Sequence, residues 1–119
     1  MRGNSDASGQ RSEFSRPLGR QSLFRPMRVA LLEVELFIPH AHSLKEKRMV
    51  VRRVVDRLAK FNVAVAEVAH QDVWQRAGLG VVTISSSAAH AEQQLAAVVE
   101  EIDRVEPGLV ARTSTEFLL

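Results

Sequence analysis

Hydrophobic patterning divides the last three-quarters of the chain into strands and helices that follow one another in a symmetrical order. Alternating or β-branched apolar residues predict four strands, at Val29–Ile38, Val63–Ala69, Leu79–Ser86 and Leu109–Leu118. Apolar residues at 3.6-residue spacing predict two helices, over residues 43–61 and 88–105. The resulting order, βαββαβ, restricts the fold more than any single motif does.

This order predicts an α+β protein with a single antiparallel sheet. Each helix has one apolar face, and the four strands need one covered face, so we expect both helices to lie on the same side of the sheet. The arrangement is a ferredoxin-like sandwich with strand order 4-1-3-2. In this topology the polar residues 70–77 form the turn between strands two and three.

Composition separates a tail from one domain over residues 27–119. Residues 1–26 are rich in Gly, Ser, Arg, Gln and Pro and lack periodicity, so they are predicted to be a disordered tail or a mis-assigned start. The chain has no cysteine, which excludes disulfides, thiolate metal sites and a cysteine nucleophile. No apolar run approaches the roughly 18 residues of a membrane span, and no secretory signal is visible. A cytoplasmic location is expected.

Charge is distributed unevenly between the two predicted helices. Residues 44–60 contain seven basic and two acidic side chains, whereas residues 88–106 contain five acidic side chains and one arginine. The formal net charge of +2 therefore hides a dipole. Because the two helices are predicted to lie side by side, part of this dipole is expected to be their mutual complementarity.

The first helix begins with charges that oppose its own dipole. Ser43 and Glu46 have the spacing of a capping box, which marks a helix start. Lys45, Lys47 and Arg48 follow in the first turn, where each cation costs about 0.3–1 kcal/mol when unscreened. Free amides and three cations at one helix end predict an anion site, with phosphate as the expected ligand.

The predicted topology brings further polar residues to the same edge of the sheet. The stripe of Lys45 and Arg48 continues to Arg52, and the turn between strands two and three adds a histidine, the single tryptophan and more charges. Loops at one end of a rigid scaffold commonly carry function. The candidate anion- or RNA-binding residues are therefore Ser43, Lys45, Lys47, Arg48, Arg52, His70, Asp72, Trp74 and Arg76.

Several of these residues also fit other roles. His70 and Asp72 could form a hydrogen-bonded turn or an acid–base pair, and Trp74 could close the end of the core or contact a partner. A metal site built from His40, His42 and His70 is a further alternative. Nothing in the spacing fixes its geometry, so no metal and no cofactor is predicted.

Three segments resemble the YlxP-like family, a group of small uncharacterised bacterial proteins. They are residues 27–38, His42-Ser43-Leu44-Lys45-Glu46-Lys47-Arg48, and residues 65–81, which include His70-Gln71-Asp72-Val73-Trp74. The resemblance covers nearly all of residues 27–119 and implies a ferredoxin-like fold. It also implies an association with translation, because genes of such proteins often neighbour those for termination, initiation and ribosome-maturation factors.

Three functions fit these observations, and none of the motifs typical of hydrolases, phosphate loops or zinc proteases is present, which favours binding over catalysis. The first is a small RNA- or ribosome-associated factor, with Trp74 stacking on a base. The second is a phosphoryl- or acyl-transfer hydrolase in which Arg48 or Arg76 holds the anion and His70, oriented by Asp72, moves a proton. The third is a homodimeric interaction module using Phe37 on the uncovered sheet face.

Overall fold

A computed structural model describes residues 23–119 and contains the six predicted elements in the predicted order. They are β1 (Arg28–Phe37), α1 (Leu44–Leu58), β2 (Val63–Ala69), β3 (Arg76–Ser85), α2 (Ala88–Val105) and β4 (Val110–Phe117). The prediction of an α+β, ferredoxin-like fold is confirmed. Residues 1–22, most of the predicted tail, lie outside the described residues.

The four strands form one sheet in the order β2-β3-β1-β4, with every neighbouring pair antiparallel. This is the strand order predicted from the sequence. Alternation along β1 separates its two faces: Leu32, Val34 and Leu36 are buried, whereas Glu33 and Phe37 are exposed on the other side. The sheet therefore has one face covered by helices and one open face.

Both helices pack on the covered face and close a single core. In α1 the buried apolar residues recur at helical spacing, at Val50, Val51, Val54 and Leu58. In α2 they are Ala91, Leu95, Val98 and Ile102. Full burial of each Val, Leu or Ile side chain contributes roughly 1.5–3 kcal/mol, so these two stripes fix the helices against the sheet.

Strand β3 begins at Arg76, three residues before its predicted start at Leu79. Pairing with β1 continues to the last residue of that strand, Phe37, which lies opposite Arg76. Ala77 is fully buried, and Gly78 lies so close to β2 that a Cβ there would be 2.7 Å from the Cβ of Ala69. Residues 70–77 are mostly polar and are therefore predicted to form a turn. Arg76 lies in the sheet and not in the predicted loop.

Within residues 23–119, neither helix is long and apolar enough to cross a membrane.

Candidate functional site

The start of α1 has the predicted capping box. The Ser43 hydroxyl accepts a hydrogen bond of 3.1 Å from the backbone N–H of Glu46, and Ser43 itself is extended. In return, the Glu46 carboxylate accepts one of 2.7 Å from the backbone N–H of His42. The Glu46 N–H, which the helix leaves unpaired, is thereby satisfied, and the chain just before the N-cap is tied to the first turn, which explains why α1 begins at Leu44.

Lys47 is buried, and its predicted role as an anion-binding cation is wrong. Only 1% of its side chain is exposed, because position 47 lies on the same helix face as Val50 and Val51. Its ammonium donates to the carbonyl oxygens of His70, at 2.6 Å, and Val73, at 2.8 Å. These contacts leave the ammonium turned toward the protein and unavailable to a ligand.

A carboxylate on β2 completes the surroundings of Lys47. The Oε2 atom of Glu67 lies 3.0 Å from the ammonium nitrogen, as an ion pair without hydrogen-bond geometry. A buried ammonium needs such compensation, since an unpaired charge in the interior is very unfavourable. Lys47 thus joins α1, β2 and the loop that follows β2.

Three of the remaining cations of the α1 region pair with carboxylates of α2 or its C-terminal cap. Arg57 donates to Glu101 at 2.8 Å, and the Lys60 ammonium lies 3.3 Å from the same carboxylate. Arg53 donates to Glu106 at 3.3 Å. These contacts confirm the expected charge complementarity between the helices.

Glu101 responds strongly to this environment. The hydrogen bond from Arg57 lowers its pKa, burial opposes the change, and Lys60 and Arg104 lower it further, so that the pKa of Glu101 falls to about 2. Its side chain is nearly buried, yet it stays ionised because three cations surround it. The cations of this surface are therefore committed to holding the two helices together.

Lys45, Arg48 and Arg52 differ from those cations, because their side chains make no ion pair or hydrogen bond with any of residues 23–119. All three are exposed and lie at spacings of three and four residues, in one row along α1. Met49, 61% exposed, belongs to the same row. We call Lys45, Arg48 and Arg52 the basic stripe.

His70 and Arg76 meet on the open face of the sheet instead of beside the basic stripe. The Oε2 atom of Glu35 accepts a 2.6 Å hydrogen bond from Arg76 and lies 3.1 Å from Nε2 of His70. Its Oε1 atom lies 3.2 Å from the Arg112 guanidinium. One carboxylate of β1 thus contacts the guanidinium groups of Arg76 on β3 and Arg112 on β4 and the imidazole of His70, which directly follows β2.

Sequence reasoning missed two members of this cluster, Glu35 and Arg112. Burial by itself raises the pKa of Glu35, but the hydrogen bond from Arg76 and the charges of Arg76, Arg112 and His70 outweigh it, so the pKa is lowered. Arg112 lies directly opposite Glu35 in the sheet. The only sequence signal was that both lie in strands, and the register that pairs them cannot be read from the pattern.

The open-face cluster borders a shallow depression of about 360 Å³ whose lining includes Glu33, Val68, Gly78 and Ser114. Both carboxylate oxygens of Glu35 are already occupied by cations. The cluster therefore serves first to tie the strands together at this end of the sheet.

Of the two alternatives for His70 and Asp72, the hydrogen-bonded turn is the one that forms, and within residues 23–119 no hydrogen bond or ion pair joins the two side chains as an acid–base pair would. The His70 ring faces Glu35, and its backbone is left-handed, with φ of +61°. Its carbonyl oxygen accepts from Lys47 and from the backbone N–H of Val73, at 3.1 Å, which holds this unusual conformation. The arrangement removes the orienting carboxylate that the hydrolase hypothesis assigned to Asp72.

The rest of the loop between β2 and β3 points to solvent. Trp74 is 51% exposed, so its alternative role of closing the core is wrong, and Asp72 is also exposed. Gln75 fixes the loop from behind by donating to the carbonyl oxygens of Pro39, at 2.9 Å, and Ala41, at 3.3 Å. Trp74 is thus displayed on an anchored loop.

The three histidines of the metal alternative do not come together. His40 lies 2.6 Å from Glu106, whereas His70 lies beside Glu35. In the described part of the chain, no group of three or more His, Cys, Asp or Glu side chains is placed to hold a metal ion. The predicted edge therefore divides into the basic stripe on α1, the exposed loop with Asp72 and Trp74, and the cluster on the open face.

Comparison with known proteins identifies the family of this chain. A family model described as a protein of unknown function, DUF503, matches residues 29–115. The chain belongs to the DUF503 family. It is 42% identical over 76 residues to the uncharacterized protein YlxP of Bacillus subtilis (strain 168). The aligned region covers 63% of this chain and 83% of that protein. The YlxP-like resemblance found in the sequence is confirmed.

Two solved structures resemble this DUF503 chain in shape. The de novo designed protein Foldit4 matches with a TM-score of 0.49 and 9% identity, over 78% of this chain and 97% of the designed one. A C-terminal segment of the alpha subunit of aIF2 from Pyrococcus abyssi matches with a TM-score of 0.47 and 21% identity, over 83% and 53% of the two chains.

Proposed function

We propose that this DUF503 protein is a small cytoplasmic RNA-binding factor that contacts ribosomal or precursor RNA through the basic stripe of Lys45, Arg48 and Arg52. The observation that carries the proposal is the difference between these cations and the other basic residues of the α1 region. Among residues 23–119, Lys47, Arg53, Arg57 and Lys60 each have an anionic partner, whereas the cations of the basic stripe have none. Lys45, in the first turn, opposes the helix dipole, and none of the three cations gains an ion pair among residues 23–119, so a role outside the fold accounts for them better.

The shape of the stripe favours a polyanion over a small anion. From Lys45 to Arg52 the helix rises about 10 Å, and the three side chains project from a convex surface. A small phosphorylated metabolite would need donors that converge in a cleft. A row of exposed cations instead matches the repeated phosphates of a nucleic-acid backbone, whose binding releases counterions.

Trp74 supplies a second kind of contact. It is exposed on the loop that Lys47 fixes to α1, so it is held close to the helix that carries the stripe. Stacking on a base contributes about 1–3 kcal/mol and tolerates any base sequence. Backbone contacts from the stripe together with one stacked base would give binding of modest sequence preference.

The open sheet face does not provide the usual RNA platform of this fold class. RNA-recognition motifs stack bases on aromatic residues of their central strands. Here the open face of β3 presents Gly78, Gly80 and Val82, and Phe37 is the one exposed aromatic residue on β1. The helix side is therefore the proposed contact surface.

The test compares two double variants that remove the same charge. Lys45→Gln/Arg48→Gln removes two cations of the stripe, and Arg53→Gln/Lys60→Gln removes two that pair with carboxylates. Fluorescence polarisation would measure binding of each full-length chain to a labelled single-stranded 20-mer RNA. We expect the first variant to bind about tenfold more weakly or worse, and the second to stay within about threefold of the parent.

The RNA class is tested by sedimentation with purified ribosomal subunits. Cosedimentation that is lost in Lys45→Gln/Arg48→Gln and kept in Arg53→Gln/Lys60→Gln supports the proposal. Equal loss in both variants would show attraction by net charge alone, and the absence of binding to the 20-mer and to the subunits would refute RNA binding.

A further inference from the structure

Strand β2 is an edge strand without the features that normally prevent two edges from pairing. Its sequence, Val63–Ala69, contains no proline, no glycine and a single charge. That charge, on Glu67, is turned to the helix side, where it lies 3.0 Å from the Lys47 ammonium. The open-face residues Ala64, Ala66 and Val68 are exposed although apolar.

The other edge of the sheet is protected in the usual way. Strand β4 carries exposed Arg112 and Glu116 and three consecutive hydroxyl residues between them. Edge strands leave a row of backbone N–H and C=O groups unpaired, and natural sheets block such rows with charges, prolines or bulges. On β2 the irregularity in pairing comes only between Glu67 and Ala69, so residues 63–67 pair regularly with β3. The N–H of Val63 donates to the carbonyl oxygen of Phe61 at 2.9 Å, and the carbonyl oxygen of Glu67 accepts from the Gln71 side chain at 3.3 Å, so residues 64–66 form the open part of this edge.

We propose that a second copy of this chain pairs antiparallel with β2 about a two-fold axis through Val65, which joins the two sheets into one of eight strands. Such an interface is isologous, since the same strand serves both copies. In this register Ala64 faces Ala66 of the second copy, and Val63 faces Glu67. The single charge of the strand therefore never lies opposite itself, so like charges do not oppose the pairing.

The dimer also brings the two basic stripes together. Lys47 faces the sheet and Arg53 faces α2, so Arg48 and Arg52 lie on the flank of α1 that is turned away from α2. Because α1 packs over β2, this flank overlooks the free edge. Paired strands lie about 4.8 Å apart, so pairing of β2 places the two flanks side by side and makes one longer basic surface.

This placement gives the dimer a distinctive dependence on salt. The two stripes repel each other, and added salt screens that repulsion, so dimerisation should strengthen as salt is raised. RNA binding through the stripe should weaken under the same change. The dimer proposal does not depend on RNA binding, because strand pairing alone forms the interface.

Sedimentation equilibrium of the full-length chain over a concentration series, at low and high salt, tests the proposal. We expect reversible dimers whose Kd falls with added salt and falls again in Arg48→Gln/Arg52→Gln. Ala64→Lys/Ala66→Lys, at two exposed positions, should raise the Kd about tenfold or more. The matched control Ala111→Lys/Ser114→Lys, on exposed positions of β4, should leave the Kd unchanged.

Oxidative cross-linking gives an independent readout. The chain has no native cysteine, so Ala64→Cys/Ala66→Cys should form covalent dimers on oxidation, since each new thiol faces one in the second copy. Ala111→Cys/Ser114→Cys should stay monomeric on a non-reducing gel. A chain that is monomeric at every concentration would overturn the proposal. So would a dimer that survives the β2 lysines but dissociates in Phe37→Glu, which would place the interface on the open face.

Discussion

The ammonium of Lys47 donates a 2.6 Å hydrogen bond to the carbonyl oxygen of His70, which lies 23 residues further along the chain. A second bond, to the carbonyl oxygen of Val73, makes the same ammonium a clamp on both ends of the first turn of the loop. The loop that displays Trp74 is therefore positioned by a buried side chain of α1. Lys47 therefore stabilises the fold and also positions a residue of the candidate site, although its own ammonium is buried.

Replacement of Lys47 should destabilise the protein. Lys47→Met keeps much of the side-chain volume but leaves the carbonyl oxygens of His70 and Val73 without this donor. We expect the free energy of unfolding to fall by about 1–3 kcal/mol, the usual cost of a buried polar group left unpaired. Urea denaturation measures the change. Lys45→Met, at an exposed position that makes no ion pair or hydrogen bond with any of residues 23–119, should change stability by less than about 0.5 kcal/mol. Equal effects of the two substitutions would contradict the proposed role of Lys47.

The left-handed backbone of His70 gives a second prediction. His70→Gly and His70→Ala both remove the ring and its contact with Glu35, so they differ mainly in backbone preference. Glycine adopts φ near +61° without strain, and alanine does not. We expect the glycine variant to be more stable by about 1 kcal/mol, measured as a difference in thermal midpoint. Equal midpoints would mean that the loop relaxes out of this conformation once the ring is removed.

Glu101 should make stability depend on acid pH. Its pKa is about 2 in the folded protein against an ordinary value of 4.5, so the unfolded chain takes up its proton first as pH falls. The stabilisation by Arg57, Lys60 and Arg104 is thus fully present above about pH 4.5 and is lost progressively toward pH 2. Urea titrations at intervals across this range should show the decline, and Glu101→Gln should be less stable at neutral pH and show a smaller decline. A parent curve no steeper than that of Glu101→Gln would count against the three-cation contact.

The salt dependence of RNA binding should report how many stripe cations touch phosphates. For single strands, the logarithm of the association constant falls with the logarithm of salt by about 0.7 per neutralised phosphate. Lys45→Gln/Arg48→Gln/Arg52→Gln should therefore reduce the slope by about 2. Arg53→Gln, which loses a contact to Glu106 instead, should keep the parental slope. A triple variant with an unchanged slope would exclude the stripe as the contact surface.

The order of elements, the strand order and the capping box of Ser43 and Glu46 were predictable because they depend on local periodicity and spacing. The pairing of the two oppositely charged helices was predictable for the same reason, since the topology alone makes them neighbours. These features follow from the patterns that determine which faces are buried.

Burial of Lys47 could not be predicted by treating lysine as polar. Its position on the apolar face of α1 is visible in the spacing, but the oxygens that compensate its charge come from β2 and from a loop more than 20 residues away. The Glu35 cluster depends in the same way on cross-strand register, which places Arg112 opposite Glu35. Both arrangements depend on tertiary contacts, and both give residues of the predicted site a structural role.

The central position of β1 has a consequence for how the chain folds. Among the described strands, β2 and β3 are the one pair that adjoin in both sequence and sheet. The partners of β1 are remote, since Arg28 pairs with Ser85 and Ala30 with Phe117. Closing such long loops is entropically unfavourable before native contacts form, which slows folding. We therefore expect the β2–β3 hairpin to form early. We expect the apolar strand β1 to stay unpaired until β3 and β4, which follow it in the chain, are in place.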